Sequence, residues 1–236
     1  MAKGTAIITG ATKGIGKATA YYFLQQGYNL GICARTAEDL EALRAQWQAE
    51  FPEQRVLAFT ADCADNEQVR AFAETCLSHF GHIDVLVNNA GIFLPGTVLE
   101  EDEDKSLREQ MEVNCFAAFT MSKIIGNAMK KQQYGHIINV CSIAGLQAYA
   151  GGSSYSISKY AMLGMSDNFR EALRPFKVKV TAICPGPTQS YSWEGSGVDM
   201  ERLMPASDIA RIIYECSQTS WNTCVDRISI TPVQAM

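Results

Sequence analysis

The segment Thr9-Gly10-Ala11-Thr12-Lys13-Gly14-Ile15-Gly16 stands between two stretches that differ in hydrophobic periodicity. The short apolar run Thr5–Ile8 before it predicts a buried strand, and the residues from Ile15 to about Gln26 have the spacing of an amphipathic helix. The three glycines of the segment allow the tight bend that a strand-to-helix connection requires. This segment therefore predicts the first half of a βαβ unit.

The same alternation of apolar runs and helix-length segments continues along the rest of the chain. It predicts a doubly wound, Rossmann-like α/β domain whose seven-stranded parallel sheet has the order 3-2-1-4-5-6-7, with helices on both faces. In such sheets, ligands bind beyond the carboxyl ends of the strands, where the strand order reverses. The later strands are expected at Asn29–Ala34, Val56–Thr60, Ile83–Val87, His136–Cys141, Lys179–Ile183 and Arg227–Ile230.

Composition limits the class of protein. Of 236 residues, 47% are apolar and 19% are charged, which favours a single globular domain over residues 1–236. The net charge of −5, without a lysine- or arginine-rich run, argues against nucleic acid as a partner. Neither a signal peptide nor a membrane span is recognised, so a cytoplasmic protein is expected. The acidic run Glu100–Asp104 is interpreted as a solvated helix entry.

The cysteines and histidines suggest neither a disulfide framework nor a metal site. Cys33, Cys141 and Cys184 lie in apolar runs typical of buried strands, and no CxxC pair occurs, so reduced structural thiols are expected. No acidic or thiol group completes a ligand set around the histidines, so no metal is expected. We therefore expect the three histidines to lie in surface loops: His79, His82 and His136.

The glycine-rich turn also has the chemistry of an anion site. The amides and positive dipole at the start of a helix attract a phosphate, and glycines let a pyrophosphate approach the backbone closely. The residues expected to make these contacts are Gly10, Thr12, Lys13, Gly14, Ile15 and Gly16.

A second group of residues has the chemistry of proton transfer. Of nine tyrosines, Tyr155 alone is followed four residues later by a lysine, Lys159, which puts both side chains on one face of a predicted helix. A lysine cation near a phenol favours the phenolate, so Tyr155 can exchange a proton near neutrality. Ser142, at the end of the fifth strand, can add a hydrogen bond to an oxygen on which negative charge develops. On its own, a tyrosine-lysine pair also fits a core tyrosine beside a lysine that extends to solvent.

Taken in order, these motifs resemble those of the short-chain dehydrogenase/reductase family, and the match covers almost the whole chain. The glycine turn matches the family's TGxxxGxG pattern, and Asn88-Asn89-Ala90-Gly91 matches its NNAG. Ser142 precedes Tyr155 by 13 residues, which is the family spacing. Asp62 corresponds to the family residue near the adenine, and Pro185-Gly186 follows the sixth strand.

The resemblance implies reversible hydride transfer between a nicotinamide cofactor and a small carbonyl or alcohol substrate. It makes Tyr155 the proton donor, Ser142 and Lys159 its partners, and Asn114 the residue that positions a water in the proton relay. The alternatives are a polar helix residue for Asn114 and a loop-initiating hydroxyl for Ser142. Further cofactor contacts are expected from Thr36, Asp62, Asn89, Ala90, Gly91, Tyr155, Lys159, Pro185, Gly186 and Thr188.

The end of the second strand indicates which nicotinamide cofactor is used. NAD would favour an acidic side chain there, to accept hydrogen bonds from the ribose, but the strand runs into Arg35. Arg35 offers a planar cationic fork to a ribose 2′-phosphate, and Lys13 can approach the same group. NADP(H) is therefore predicted, with Glu38 or Asp39 as the alternative that would serve NAD.

Substrate specificity is expected from a lid at about residues 187–205, which is rich in glycine and serine and carries apolar side chains. The alternative is a surface loop whose aromatic residues pack against the domain. The substrate-contacting residues are expected to be Ser142, Tyr149, Tyr155, Tyr191 and Trp193.

The first 190 residues resemble 3-oxoacyl-carrier-protein reductases, whereas the lid and the C-terminus are closer to bacterial sepiapterin reductases and broad 3-hydroxy-acid dehydrogenases. Arg227–Gln234 lacks the Val-Asp-Gly-Gly ending of the acyl-carrier enzymes. A small ketone, such as a pterin side-chain carbonyl, is therefore the expected substrate. The resemblance also implies a homodimer or homotetramer formed through the long helices after strands 4 and 5.

Two other classes of function are compatible with parts of the pattern. A cofactor-binding sensor keeps the fold without catalysis, but its expected signature is a damaged catalytic tetrad. A nucleotide-sugar epimerase or dehydratase also uses a tyrosine-lysine pair, but about 50 residues follow Pro185-Gly186, which leaves little for a sugar-binding region.

Overall fold

The computed structural model describes residues 2–100, 102–190 and 197–233. Its seven parallel strands form one sheet in the order β3-β2-β1-β4-β5-β6-β7, which confirms the predicted architecture. The strands are β1 (Gly4–Thr9), β2 (Tyr28–Ala34), β3 (Val56–Thr60), β4 (Val85–Asn88), β5 (Gly135–Val140), β6 (Val178–Pro185) and β7 (Arg227–Ile230). The helices are α1 (Gly14–Gln25), α2 (Ala37–Glu50), α3 (Asn66–Phe80), α4 (Glu103–Met111), α5 (Ala117–Gln132), α6 (Ser153–Leu173) and α7 (Ala206–Ser217).

Helices cover both faces of the sheet, so the central strands are buried on both sides. Successive residues of a strand point to opposite faces, and Ile7 and Ile8 of β1 accordingly belong to different cores. Ile8 packs in the core that includes Phe23 of α1, and Ile7 packs in the core that includes Phe72 of α3. Two-sided burial is why the inner strands are continuous apolar runs in the sequence.

The strand order reverses between β1 and β4, and the ends of these strands lie side by side. The register pairs Ile8 with Val87, which brings Thr9 next to the end of β4. The Thr9 hydroxyl oxygen accepts hydrogen bonds from the amides of Asn89 and Ala90, both at 3.0 Å. The glycine turn and the NNAG segment therefore meet at the reversal point, where ligands of such sheets bind.

The predicted surface position of His136 is wrong. This residue lies in β5, between β4 and β6, and only 2% of it is exposed. Its Nε2 atom is 2.7 Å from the Thr181 hydroxyl. Burial, reinforced by the nearby Lys179 charge, lowers the pKa of His136 to about 3. Its neighbours in the fold, which sequence spacing did not reveal, determine this environment.

The interpretation of the whole acidic run as solvated is also wrong, because Glu103 is only 8% exposed. The run does mark a helix entry, since α4 begins at Glu103. All eight cysteines lie in the described ranges, and none of them forms a disulfide bond there. In the parts of the chain that the structure describes, no helix is both long and apolar enough to cross a bilayer, and no cluster of metal-ligating side chains occurs.

Candidate active site

The glycine turn that joins β1 to α1 is shaped by close backbone contacts. Gly10 and Gly14 have φ angles of +67° and +52°, a region that side-chain-bearing residues rarely adopt. A Cβ atom at Gly16 would lie 2.2 Å from the Gly10 carbonyl oxygen. Glycine is therefore required for the turn itself.

The start of α1 suits an anion. Lys13 occupies the N-cap position but does not cap the helix with its side chain, and the first turn contains no acidic residue. The backbone amides and the positive dipole at this end of α1 therefore have no acidic side chain from the helix's own first turn beside them. A phosphate group fits this arrangement of donors.

The turn is tied to the end of β2, where the predicted cofactor-selecting residue lies. The amides of Gly10 and Ala11 donate hydrogen bonds to the Cys33 carbonyl, at 3.0 and 3.2 Å. Arg35 follows β2 directly and is exposed. Thr36 is the N-cap residue of α2, whose first turn contains the exposed Glu38 and Asp39. Carboxylates at this position also stabilise the helix through its dipole.

Two further predicted cofactor residues make structural hydrogen bonds. The Asn89 side-chain amide donates to the carbonyls of Thr9 and Gly10, at 3.0 and 3.1 Å, and thereby holds the glycine turn against β4. Asp62, in the turn after β3, accepts a hydrogen bond from the Ala64 amide at 2.9 Å. Both residues therefore fix the loops that border the cleft.

Tyr155 and Lys159 lie one turn apart on α6, as their spacing predicts. Lys159 is 3% exposed, and its ammonium group donates a hydrogen bond to the Val140 carbonyl at 3.1 Å. The same nitrogen lies 5.6 Å from the centre of the Tyr155 ring. A Cβ atom at Gly91 would lie 3.5 Å from Lys159 Nζ and 3.2 Å from Asn114 Oδ1. The last glycine of the NNAG motif, Gly91, therefore lies close to the side chains of both Asn114 and Lys159.

Ser142 follows β5 and begins the 3-10 turn Ile143–Gly145, and its hydroxyl oxygen accepts a hydrogen bond from the Ala144 amide at 3.1 Å. This turn packs directly against α6, where Ser156 donates to the Ala144 carbonyl at 2.7 Å. The close fit requires glycine, because a Cβ at Gly145 would lie 2.8 Å from the Lys159 carbonyl oxygen. Ser142 is therefore held beside the helix that carries Tyr155.

Asn114 lies in the π-helical segment Glu112–Phe116 between α4 and α5, and it is fully buried. Such π-bulges are frequent at functional sites. Its Oδ1 atom accepts from the Ile92 amide at 2.8 Å, and its Nδ2 atom donates to the Ile92 carbonyl at 3.0 Å and to Ser158 Oγ at 2.9 Å. Both amide hydrogens are thus used within the protein, which makes the Asn114 side chain a bridge between the loop after β4 and α6.

The base of the predicted lid is anchored on the sheet side. The Gly186 amide donates to the Ile230 carbonyl at 2.7 Å, and Thr188 pairs with Met204 in an isolated parallel bridge. The segment then approaches the glycine turn, since a Cβ at Gly14 would lie 3.3 Å from the Ser190 Cβ. The predicted substrate residues Tyr191 and Trp193 lie outside the described residues.

An aromatic cluster beside Tyr155 includes a residue that the sequence analysis missed. The Phe93 ring lies edge-on to the Tyr155 ring, with centroids 5.3 Å apart, and 6.1 Å from the ring of Tyr149. Phe93 and Tyr149 are both partly exposed. Its position in the sequence could have identified it, because Phe93 follows the NNAG motif, at a strand end that was expected to border the site.

Comparison with known proteins agrees with this geometry. The family model described as short chain dehydrogenase matches residues 4–199. A sepiapterin reductase from Chlorobaculum tepidum is 31% identical over 237 residues, covering 96% of this chain and 95% of that protein. A 3-oxoacyl-[acyl-carrier-protein] reductase from Thermotoga maritima is 33% identical over 220 residues, covering 88% and 87% of the two chains.

Among solved structures, ElxO with NADP bound superimposes with a TM-score of 0.88 at 26% identity, and 97% of each chain is covered. The likeness therefore extends over the whole sheet and its flanking helices. The resemblance inferred from the motifs is confirmed, and the chain belongs to the short-chain dehydrogenase family.

Proposed function

We propose that the protein is an NADP(H)-dependent oxidoreductase that reduces a small carbonyl compound in a reversible reaction. The observation that carries this proposal is the buried ammonium group of Lys159, which lies near both the Tyr155 ring and Gly91. A buried cation beside a phenol suits reversible proton transfer. The bound nicotinamide would supply or accept the hydride.

Each side chain has a role that its hydrogen bonds allow. Tyr155 donates the proton to the substrate oxygen as negative charge grows there. Ser142 accepts from the Ala144 amide, which leaves its own hydrogen for the same oxygen. Lys159 places a positive charge near the Tyr155 ring and can also hold the nicotinamide ribose. Asn114 keeps the loop after β4 in register with α6.

NADP(H) is favoured over NAD(H) by charge at the end of β2. Arg35 is exposed immediately beside the glycine turn, and Lys13 is exposed in that turn. Both can reach toward a ribose 2′-phosphate, for which a guanidinium is a strong bidentate partner. The NADP found in the structurally similar ElxO supports the same choice. Glu38 and Asp39 are the competing NAD-type partners.

The substrate that fits best is a small carbonyl carried on a flat group. Phe93 and Tyr149 offer two partly exposed aromatic rings in one cluster with Tyr155, and the sequence predicts Trp193 as a further substrate contact. Stacking on such rings contributes about 0.5–1.5 kcal/mol beyond area burial, which a flexible acyl chain would not obtain. The sepiapterin reductase relative supports a pterin-like ketone. The second candidate, a 3-oxoacyl thioester, is favoured by the similarity to the T. maritima enzyme.

We also propose that residues 187–205 act as a lid. Its two ends are held together, because the Gln189 amide donates to the Met204 carbonyl at 2.8 Å and the Met204 amide donates to the Pro187 carbonyl at 3.1 Å. A segment that is anchored at its base and approaches Gly14 through Ser190 is suited to close over a bound cofactor.

Self-association is proposed through α5 and α6. Two apolar side chains are exposed at the start of α5: Phe116, which precedes the helix by one residue, and Phe119 within it. Ile157 and Tyr160 on α6 are exposed as well. Exposed apolar side chains at this spacing are typical of a helical interface. A second copy of the chain is the occupant that the family resemblance implies, as a homodimer or homotetramer.

The test compares NADPH oxidation with sepiapterin, a short 3-oxo ester and a 3-oxoacyl thioester, for the wild type and for Trp193→Ala. We expect the highest kcat/KM with sepiapterin and a loss of that preference in the variant. A preference for the thioester that Trp193→Ala leaves unchanged would instead support the fatty-acid reaction. NADPH binding without turnover across a wide carbonyl panel would support a sensor.

A further inference from the structure

Glu103 is a buried carboxylate in direct contact with the start of the helix that carries Tyr155. Its Oε1 atom accepts a hydrogen bond from the Ser154 amide at 3.0 Å and another from the Ser154 hydroxyl. Ser154 immediately precedes Tyr155 in α6. Glu103 therefore contacts the backbone one residue away from the proposed proton donor.

This contact takes the place of a normal helix cap. The first amides of a helix have no partner within the helix, and a side chain at the N-cap usually satisfies one of them. The N-cap residue of α6 is Gly152, which has no side chain to offer. Glu103 supplies the oxygen from α4 instead, and the Gly96 carbonyl accepts from the Ser153 amide at 3.1 Å. A carboxylate at this end of a long helix is also favoured by the helix dipole.

The neighbouring backbone is shaped to admit the carboxylate. A Cβ atom at Gly96 would lie 2.3 Å from Glu103 Oε2, and Gly96 has a φ of +157°. Gly96 also forms an isolated bridge with Gly152, so the loop after β4 and the start of α6 are joined at this point. Gly96 thus makes room where Glu103 reaches α6.

Glu103 is one of three buried polar residues that share a face of the α4–α5 region. Gln110 and Asn114 follow it by seven and eleven residues, a spacing that repeats on one side of a helix. Gln110 pairs with both the amide and the carbonyl of Leu94, at 3.1 and 3.4 Å. Asn114 does the same with Ile92, at 2.8 and 3.0 Å. Together they hold the loop after β4 against α6.

We propose that Glu103 is a positioning residue for the reaction, because it fixes the first turn of α6 and with it the location of the Tyr155 phenol. The proposal rests on the proposed role of Tyr155. Small displacements of a reacting group carry a large kinetic cost, of about 10²-fold for a shift of about 1 Å. The effect of Glu103 should therefore be larger on turnover than on cofactor affinity, because α6 would contact only the nicotinamide ribose, whereas the glycine turn after β1 is expected to bind the phosphates.

The experiment compares Glu103→Ala, Glu103→Asp and Glu103→Gln with the control Asp104→Ala, which removes an exposed carboxylate from the next position of the same helix. Glutamine keeps an oxygen that can accept both hydrogen bonds from Ser154, whereas alanine has none and aspartate is one methylene too short. Three quantities are measured: kcat with sepiapterin and with diacetyl, the Kd for NADPH, and hydrogen exchange of the peptide that spans residues 150–157.

We expect Glu103→Ala to lower kcat about tenfold or more while the Kd for NADPH stays within about twofold, and Glu103→Gln to keep at least about half of the wild-type kcat. Exchange in the 150–157 peptide should accelerate in Glu103→Ala and stay near the wild-type rate in Glu103→Gln. If Glu103→Ala does not fold, Glu103→Asp decides by the same measurements.

Wild-type kcat and unchanged exchange in Glu103→Ala or Glu103→Asp would overturn the proposal. So would equal losses of kcat in the glutamine and alanine variants, or a loss of NADPH affinity that matches the loss of kcat. The exchange measurement does not depend on catalysis, so a failure of the proposed function, detected as an active Tyr155→Phe variant, is distinguishable from a failure at Glu103.

Discussion

The ammonium nitrogen of Lys159 lies 5.6 Å from the centre of the Tyr155 ring, one turn along the same side of α6. The nitrogen is held there by the Val140 carbonyl, the last residue of β5, so its position depends on the sheet as well as on the helix. Helix α6 and the last residue of β5 together therefore fix the distance between this charge and the Tyr155 ring.

Tyr155→Phe removes the hydroxyl and keeps the ring. We expect kcat to fall by at least about 10²-fold, the usual contribution of a positioned proton donor, with little change in the Kd for NADPH. Steady-state rates and fluorescence titration measure the two effects. Tyr134→Phe, which alters an exposed ring before β5, is the matched control and should behave as wild type. Wild-type turnover in Tyr155→Phe would exclude this residue as the proton donor.

Arg35→Ala tests cofactor selection. A charge-assisted hydrogen bond contributes about 1.5–3 kcal/mol, so the KM for NADPH should rise by about tenfold or more. The KM for NADH should change little, because NADH has no 2′-phosphate. Arg44→Ala removes a partly exposed guanidinium from α2 that pairs with Glu41, and it controls for general loss of positive charge. An unchanged KM for NADPH in Arg35→Ala would contradict the assignment.

Phe93→Ala tests the aromatic wall beside Tyr155. We expect kcat/KM for sepiapterin to fall by about two- to tenfold more than kcat/KM for diacetyl, because ring contacts of about 0.5–1.5 kcal/mol are available only to the bicyclic substrate. The measurement is the ratio of the two kcat/KM values. Phe93→Leu, which keeps apolar bulk, shows how much of the effect comes from the ring. An unchanged ratio in Phe93→Ala would remove Phe93 from substrate selection.

Because His136 is buried, we expect the protein to lose stability in acid. Its pKa in the folded protein is about 3, below the ordinary value near 6.5, so the unfolded chain binds a proton that the folded chain does not. The free energy of unfolding should therefore fall as the pH decreases from about 6.5 toward 3, by about 2 kcal/mol at pH 5, and this histidine should have no effect above pH 7.

Urea unfolding at pH 7 and pH 5 measures this loss. In His136→Asn the change between the two pH values should be smaller by about 2 kcal/mol, whatever the variant's absolute stability. His79→Asn, at an exposed position on α3, is the control. The same pH dependence in His136→Asn and in the wild type would show that another group is responsible.

Ile157→Glu tests the proposed interface. A charge placed in an apolar interface is costly to bury, so the variant should shift toward monomer in light scattering after size exclusion. Leu99→Glu, a similar change at a strongly exposed residue outside α5 and α6, should keep the wild-type mass. If Ile157→Glu also keeps the wild-type mass, the oligomer uses another surface or does not form.

Much of the fold and part of the site follow from local sequence signals. The bounds of β3 and β7 match the predicted Val56–Thr60 and Arg227–Ile230, because short apolar or alternating runs between turn residues have few other structures available. The helical spacing of Tyr155 and Lys159 likewise determines that they share a face.

Tertiary structure decided which polar residues are buried and what they contact. Glu103 was assigned to solvent from its acidic neighbours, but its partner Ser154 lies 51 residues away in the sequence. His136 begins a predicted strand but was assigned to the surface, yet β5 lies between two other strands and buries it. Phe93 contacts Tyr155 because the loop after β4 is held against α6. Hydrophobic periodicity reports the local conformation of the backbone, whereas burial and hydrogen bonding depend on segments distant in sequence that only the folded chain brings together.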